Sequence, residues 1–160
     1  GPIYGFEYWT FGRVAAAARQ LGWFVDEVRA ATGADSVDII GHSMGGVVST
    51  YYVTLAGGDG VVANLVTLGS PLHGTDVSAP LGHAGRELVR GSKLITRLGA
   101  AAAPTTTKMT NIWSKADALV PGAAQKPMVG ADTILYDDLG HVALLGSRRV
   151  AREIVSRLAK

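Results

Sequence analysis

The run Val37-Asp38-Ile39-Ile40 leads directly into Gly41-His42-Ser43-Met44-Gly45-Gly46, after which apolar residues recur at Met44, Val47, Val48, Tyr51, Tyr52 and Leu55. A short β-branched strand, a tight glycine turn and an amphipathic helix in that order confine the chain to a layered α/β architecture. The rest of the sequence fits the same plan. Apolar positions at Phe11, Val14, Ala15, Ala18, Leu21, Val25 and Val28 predict a helix from Phe11 to Thr32, stopped by Gly33. Further strands are predicted at Asn64 to Leu68, Met109 to Trp113 and Thr133 to Tyr136. A last helix is predicted from a Ser147 cap to Leu158, with Val150, Ile154 and Leu158 on one stripe. Strands alternating with helices imply a mostly parallel sheet covered on both faces, with reactive side chains on loops at the carboxyl ends of the strands.

Composition removes several classes of function. The chain has 160 residues, 48% of them hydrophobic, and these read as a single α/β domain over residues 1–160. There is no cysteine, so disulfides, thiolate nucleophiles and cysteine-ligated metals are excluded. No H-E-x-x-H occurs and the four histidines are scattered, so no metal site is expected. The formal charge is only +2, and the basic residues gathered at Arg148, Arg149, Arg152, Arg157 and Lys160 suit the solvated face of a C-terminal helix. Without interleaved aromatics that cluster does not predict a nucleic-acid partner. The glycines of the turn do not follow G-x-G-x-x-G, which argues against a dinucleotide binder. No apolar run is long enough to span a membrane. The interval from Gly69 to Lys108 holds a moderately amphipathic stretch around Leu88, Val89, Leu94, Ile95 and Leu98, readable as a packing helix or as part of a substrate-covering segment.

Gly41 to Gly45 satisfies G-x-S-x-G, a pattern that chance supplies in about one such sequence in seven, so its setting decides. Between a strand and a helix, the serine is forced into a strained backbone conformation that lifts its hydroxyl clear of the sheet. Side chains two residues on either side would collide there, and glycine at 41 and 45 is expected to remove the collision. Gly46 lets the helix approach the sheet. The amide of Met44, at the positive end of the helix, faces any negative charge that forms beside Ser43.

A serine hydroxyl needs a base, and the base needs a partner that fixes its tautomer. His141, in Leu139-Gly140-His141-Val142 between the last strand and the last helix, is the candidate base. His42 adjoins Ser43, but successive residues in a sharp turn point apart, so it is expected to pack or hydrogen-bond nearby. His73 is read as a pocket or buttress residue, and His83 has no evident setting. Asp117, directly after the strand that ends near Trp113, is the candidate acid. Asp137 and Asp138 read as turn formers or caps, and Asp76 is an outside candidate. The chain order Ser, Asp, His separates this arrangement from the chymotrypsin and subtilisin types.

Val37 to Tyr52, Val62 to Ser70, Ser114 to Pro121 and Gly140 to Leu145 together resemble the small bacterial α/β-hydrolase lipases and esterases, with the likeness weakest from Asp76 to Thr107. The resemblance implies an α/β-hydrolase fold and carboxylic ester hydrolysis through an acyl-enzyme on Ser43, without a cofactor. Asp117 would be the triad acid, His141 the base and Met44 one oxyanion donor. It further implies an ester or lipid substrate, transient contact with a lipid interface, and export from the cell. A thioesterase or acyltransferase would use the same triad, and a non-catalytic binding scaffold would keep only the fold. In the family, a strand ending in a His-Gly loop precedes the part matched here and supplies a second oxyanion amide. The start Gly1-Pro2-Ile3-Tyr4 carries neither methionine nor a signal-like stretch, so the chain is expected to be the C-terminal portion of a larger hydrolase, lacking its N-terminal strands.

Overall fold

A computed structural model describes residues 1–76, 82–122 and 124–158. Helix α1 (Val14–Thr32) precedes strand β1 (Val37–His42), and α2 (Met44–Leu55) joins β1 to β2 (Val62–Leu68). Two short helices, α3 (Gly82–Glu87) and α4 (Lys93–Gly99), stand between β2 and β3 (Lys108–Ser114). Strand β4 (Asp132–Tyr136) follows, and α5 (Ala143–Gly146) and α6 (Arg148–Leu158) complete the order.

The four strands form one parallel sheet in chain order, β1-β2-β3-β4. Register assigns the two faces. Leu65 stands beside Met109, and both turn into the larger core with Val14, Ala18 and Leu21 of α1, Val47 and Val48 of α2, and Leu98 of α4. One residue further along, Val66 pairs with Thr110 and Leu68 with Ile112. Val66, Leu68 and Ile112 face the opposite side, where Leu144 and Val150 cover them and Ile134, Ile154 and Leu158 pack around. The period-2 alternation of strands thus feeds two separate cores, as a sheet covered on both faces requires. Leu65, Leu68 and Ile112 are almost fully buried, each worth about 1.5–3 kcal/mol relative to exposure. Strand β1 pairs only with β2 among the described residues, and Ile40 on it is half exposed.

Boundaries differ from expectation in instructive places. Helix α1 begins at Val14 rather than Phe11, because Thr10 and Phe11 turn, Gly12 bends and Arg13 is extended. Phe11 packs its ring against that of Trp9 instead, tilted by 49° at 5.5 Å between centroids, and the Val14 N–H donates to Glu87 Oε2 at 2.8 Å. The other end agrees: Gly33 adopts the left-handed conformation and its N–H donates to the Arg29 carbonyl. The Ser147 hydroxyl accepts the Val150 N–H at 3.4 Å at the start of α6. In the interval after β2, the Ser92 hydroxyl caps α4, which buries Leu94, Ile95 and Leu98 in the core, the behaviour of a packing helix. Residues 77–81 of that interval lie outside the described residues. Among the described residues no helix is long and apolar enough to cross a membrane.

Candidate active site

Three chain segments leave the sheet at its carboxyl edge just where the strand ladder ends. The Ser43 N–H donates to the Leu68 carbonyl, Gly69 N–H to Ile112 and Lys115 N–H to Tyr136, each at 2.9 Å. Beyond these last ladder bonds the backbone is free to turn; Ser43 and Asp117 lie there, and His141 lies in the loop after β4. Ser43 has φ 53° and ψ −123° and is the one described non-glycine residue with positive φ. Such a conformation costs on the order of 1–3 kcal/mol and persists only where the surroundings impose it.

Close packing of strand against helix imposes it. A Cβ on Gly41 would lie 2.7 Å from Gly46 Cα, and a Cβ on Gly46 would lie 1.9 Å from the Ser70 hydroxyl and 3.1 Å from the Gly41 carbonyl. A Cβ on Gly45 would meet only the Tyr8 hydroxyl, at 3.8 Å, an ordinary contact. The steric requirement therefore falls on the pair 41 and 46 and not, as expected, on 41 and 45. Gly45 is half-buried with room for a side chain, whereas Gly46 faces β1 and the loop after β2. Ser43 stands at the N-cap position of α2 without using its side chain as a cap, so its hydroxyl is not engaged by the helix. Met44 opens α2, so its N–H belongs to the first turn, whose amides have no carbonyl one turn back within the helix.

Asp117 and His141 come together from different loops. His141 Nδ1 lies 2.7 Å from Asp117 Oδ2, with the Asp117 side chain wholly buried and that of His141 only 9% exposed. The other carboxylate oxygen, Oδ1, accepts the N–H groups of Leu119 at 3.0 Å and Val120 at 2.8 Å, which fixes the plane of the group. A buried carboxylate with one oxygen held by backbone and the other presented to an imidazole makes Nδ1 the protonated nitrogen and leaves Nε2 available. His42 reaches the same loop from the serine turn. Its Nε2 lies 3.0 Å from the His141 carbonyl oxygen, and its ring centroid is 4.5 Å from that of His141. Burial lowers the His42 pKa, opposed by the His141 carbonyl that accepts from its ring.

The remaining candidates are engaged elsewhere. His73 Nε2 lies 3.3 Å from the Pro127 carbonyl, and the His73 N–H donates to Ala124, so this residue buttresses a loop. His83 Nδ1 meets the Arg86 guanidinium. Asp137 pairs with Lys115, Asp138 with Arg149 and Asp76 with Arg90, all on the surface. Two residues that sequence reasoning passed over belong to the site's framework. Gly69 has φ 54°, and a Cβ there would lie 3.0 Å from Asp117 Oδ2 and 3.2 Å from His141 Nδ1, so the acid–histidine pair rests against a position that only glycine leaves open. The Ser114 hydroxyl, fully buried, accepts the N–H groups of Ala116 and Leu139, each at 3.3 Å, and so ties the acid loop to the histidine loop. A glycine and a serine immediately following or ending predicted strands were the available signals.

With this geometry in view, known structures align over nearly the whole chain. An α/β hydrolase enzyme from the sediment metagenome of the Mar Chica lagoon in Morocco superposes with a TM-score of 0.63 at 22% identity, over 89% of this chain and 68% of that one. The esterase EaEST from Exiguobacterium antarcticum gives a TM-score of 0.68 at 15% identity, over 94% of this chain and 75% of that one. The chain has the α/β-hydrolase fold. Within this hydrolase fold, residues 20–83 match the family model of the PGAP1-like alpha/beta domain, a stretch that starts inside α1 and runs through β1, the serine turn, α2 and β2. A triacylglycerol lipase from Pseudarthrobacter phenanthrenivorans is 44% identical over 57 residues, 36% of this chain and 17% of that protein. The match thus spans less than a fifth of that curated relative.

Proposed function

We propose that the protein is a serine carboxylic ester hydrolase with Ser43 as nucleophile, His141 as general base and acid, and Asp117 as the group that orients His141. The observation that carries this reading is the meeting of two independent features at one edge of the sheet. A strained, uncapped serine stands at the start of α2, and a buried acid–imidazole pair stands beside the residue that precedes it.

In the first half-reaction, Ser43 Oγ bonds to the ester carbonyl carbon as its proton passes to His141 Nε2. The resulting imidazolium is stabilised by Asp117 at Nδ1. The carbonyl oxygen, now an oxyanion, takes the Met44 N–H at the positive end of α2. Collapse of the tetrahedral species breaks the ester C–O bond, and His141 returns its proton to the departing alcohol. Water then attacks the acyl-serine with His141 again as base, releasing the carboxylic acid and restoring the serine hydroxyl. The likeness to a triacylglycerol lipase favours fatty-acyl esters as substrates, and export with action at lipid surfaces is part of the same proposal.

The test uses the intact protein and a short-chain nitrophenyl ester, with a fluorophosphonate to trap the nucleophile. Hydrolysis should fall by about 10³-fold or more in Ser43→Ala. The fluorophosphonate should label Ser43 alone. Undiminished hydrolysis in Ser43→Ala would remove the serine from the mechanism.

A further inference from the structure

The residue before Ser43 in the turn, His42, is engaged as well. We propose that His42 is a positioning residue, a tie from the turn bearing Ser43 to the loop bearing His141 that fixes the spacing between serine and base. The proposal rests on the hydrolase reading above and adds to it a residue to which that reading gives no role.

Geometry carries the argument. His42 is covalently next to Ser43, and its Nε2 lies 3.0 Å from the carbonyl oxygen of His141 itself, across 99 residues of chain. A carbonyl only accepts, so Nε2 carries the proton and donates, which selects the Nε2–H tautomer of His42. The contact therefore holds the backbone of the base and not its ring, whose Nδ1 belongs to Asp117. The rest of the histidine loop is anchored at its margins. The Leu139 N–H is held by Ser114, the Gly140 carbonyl accepts from Leu144, and the Val142 carbonyl accepts from Leu145. His42 supplies the tie at the centre, and it comes from the serine turn. With φ and ψ of Ser43 set by the Gly41–Gly46 packing, one side chain thus transmits the position of the turn to the base. Proton transfer from Oγ to Nε2 needs hydrogen-bond distance, and a misplacement of 1 Å can cost about 10²-fold in rate.

Three variants of the intact protein decide the matter. His42→Ala removes the donor, His42→Phe removes it while keeping ring volume, and His42→Gln places an amide N–H at nearly the same reach. Loss of the tie should lower kcat on a short-chain nitrophenyl ester by roughly 10- to 100-fold with KM within about twofold. His42→Gln should recover to within a few-fold of the parent. Proton NMR gives a readout independent of turnover. The His141 Nδ1–H bonded to Asp117 should resonate far downfield and sharp in the parent and in His42→Gln. It should broaden through exchange with water in His42→Ala or His42→Phe. Parent-like kcat together with a sharp proton in the variants without a donor would overturn the proposal, and so would a His42→Gln protein as impaired as His42→Phe. Should Ser43→Ala keep full activity, the hydrolase reading fails on its own terms and the downfield proton still judges the tie.

Discussion

Two carboxylates at opposite ends of the sheet are bound by the same kind of donor and end with opposite fates. Asp59, ahead of β2, accepts the N–H and hydroxyl groups of Thr105 and Thr106 and those of Thr107, just ahead of β3. Both of its oxygens are filled by neighbours. Asp117, beyond the end of β3, gives one oxygen to two backbone amides and keeps the other for His141. Asp59 is a clasp between loops, while Asp117 is fixed in plane by one oxygen and keeps the other for a single partner, His141, in a buried setting. What distinguishes a candidate catalytic acid from a structural one is here the acceptor capacity left over, and not the number of hydrogen bonds made.

The largest effect is expected where that leftover oxygen is replaced. In Asp117→Asn the amide oxygen stays with the Leu119 and Val120 N–H groups, which can donate only to an acceptor, and the NH2 group is turned toward His141. That forces the tautomer with Nδ1 unprotonated and its proton on Nε2, where the base should be empty. Ester hydrolysis should fall about 10⁴-fold with the melting temperature little changed, measured by steady-state kinetics and thermal melts on one preparation. A smaller loss is expected from Gly69→Ala. Its methyl would press on both partners of the acid–histidine pair, and φ 54° disfavours any side chain. Roughly 10- to 100-fold in kcat and about 1–3 kcal/mol of stability should be lost, separable by comparing turnover with urea unfolding.

The smallest effect on activity belongs to Asp59→Ala, where kcat should stay within about twofold of the parent. Stability at pH 7 should fall by ~1–2 kcal/mol after allowing for solvent screening of a surface cluster. The hydrogen bonds from Thr106, Thr105 and Thr107 hold the Asp59 carboxyl far below its ordinary pKa of 3.8. A depressed carboxyl stabilises the fold above the unfolded-state pKa and loses that contribution as pH falls toward the folded value. Thermal melts should therefore show parent and variant well separated at pH 7 and drawing together below about pH 4. A turnover defect in Asp59→Ala would erase the distinction between the two carboxylates.

Local pattern and long-range closure were unequally readable. The parallel sheet, the serine turn and the placement of Asp117 and His141 at successive strand ends follow from periodicity and strand order. These local signals survive because each element buries the face that its sequence marks. The α1 start was misplaced because Phe11 continues the helical period, while Gly12, the extended Arg13 and a cap from Glu87, 73 residues away, decide the boundary. The pairing of steric need at Gly41 and Gly46 depends on Ser70 and on how closely α2 sits on β1, neither of which is coded within the pentapeptide. Likewise the Asp59 clasp joins residues more than 40 positions apart, and Gly69 matters only through what two other loops bring against it. Sequence spacing reports the faces of elements, and contacts between loops emerge only when the sheet has set their order.

That order has a temporal side. β1 and its serine turn are synthesised before the His141 loop, and the strands take their places in the sheet in the same order. Ribosomes add about 5–20 residues per second, so the 99 residues that separate His42 from His141 take roughly 5–20 seconds to appear. Throughout that interval Ser43 stands without the His141 loop and without the contact from His42 to it. Under the proposed mechanism a nascent chain could not form an acyl-serine from an ester until β4 has been laid against β3 and the His141 loop has followed.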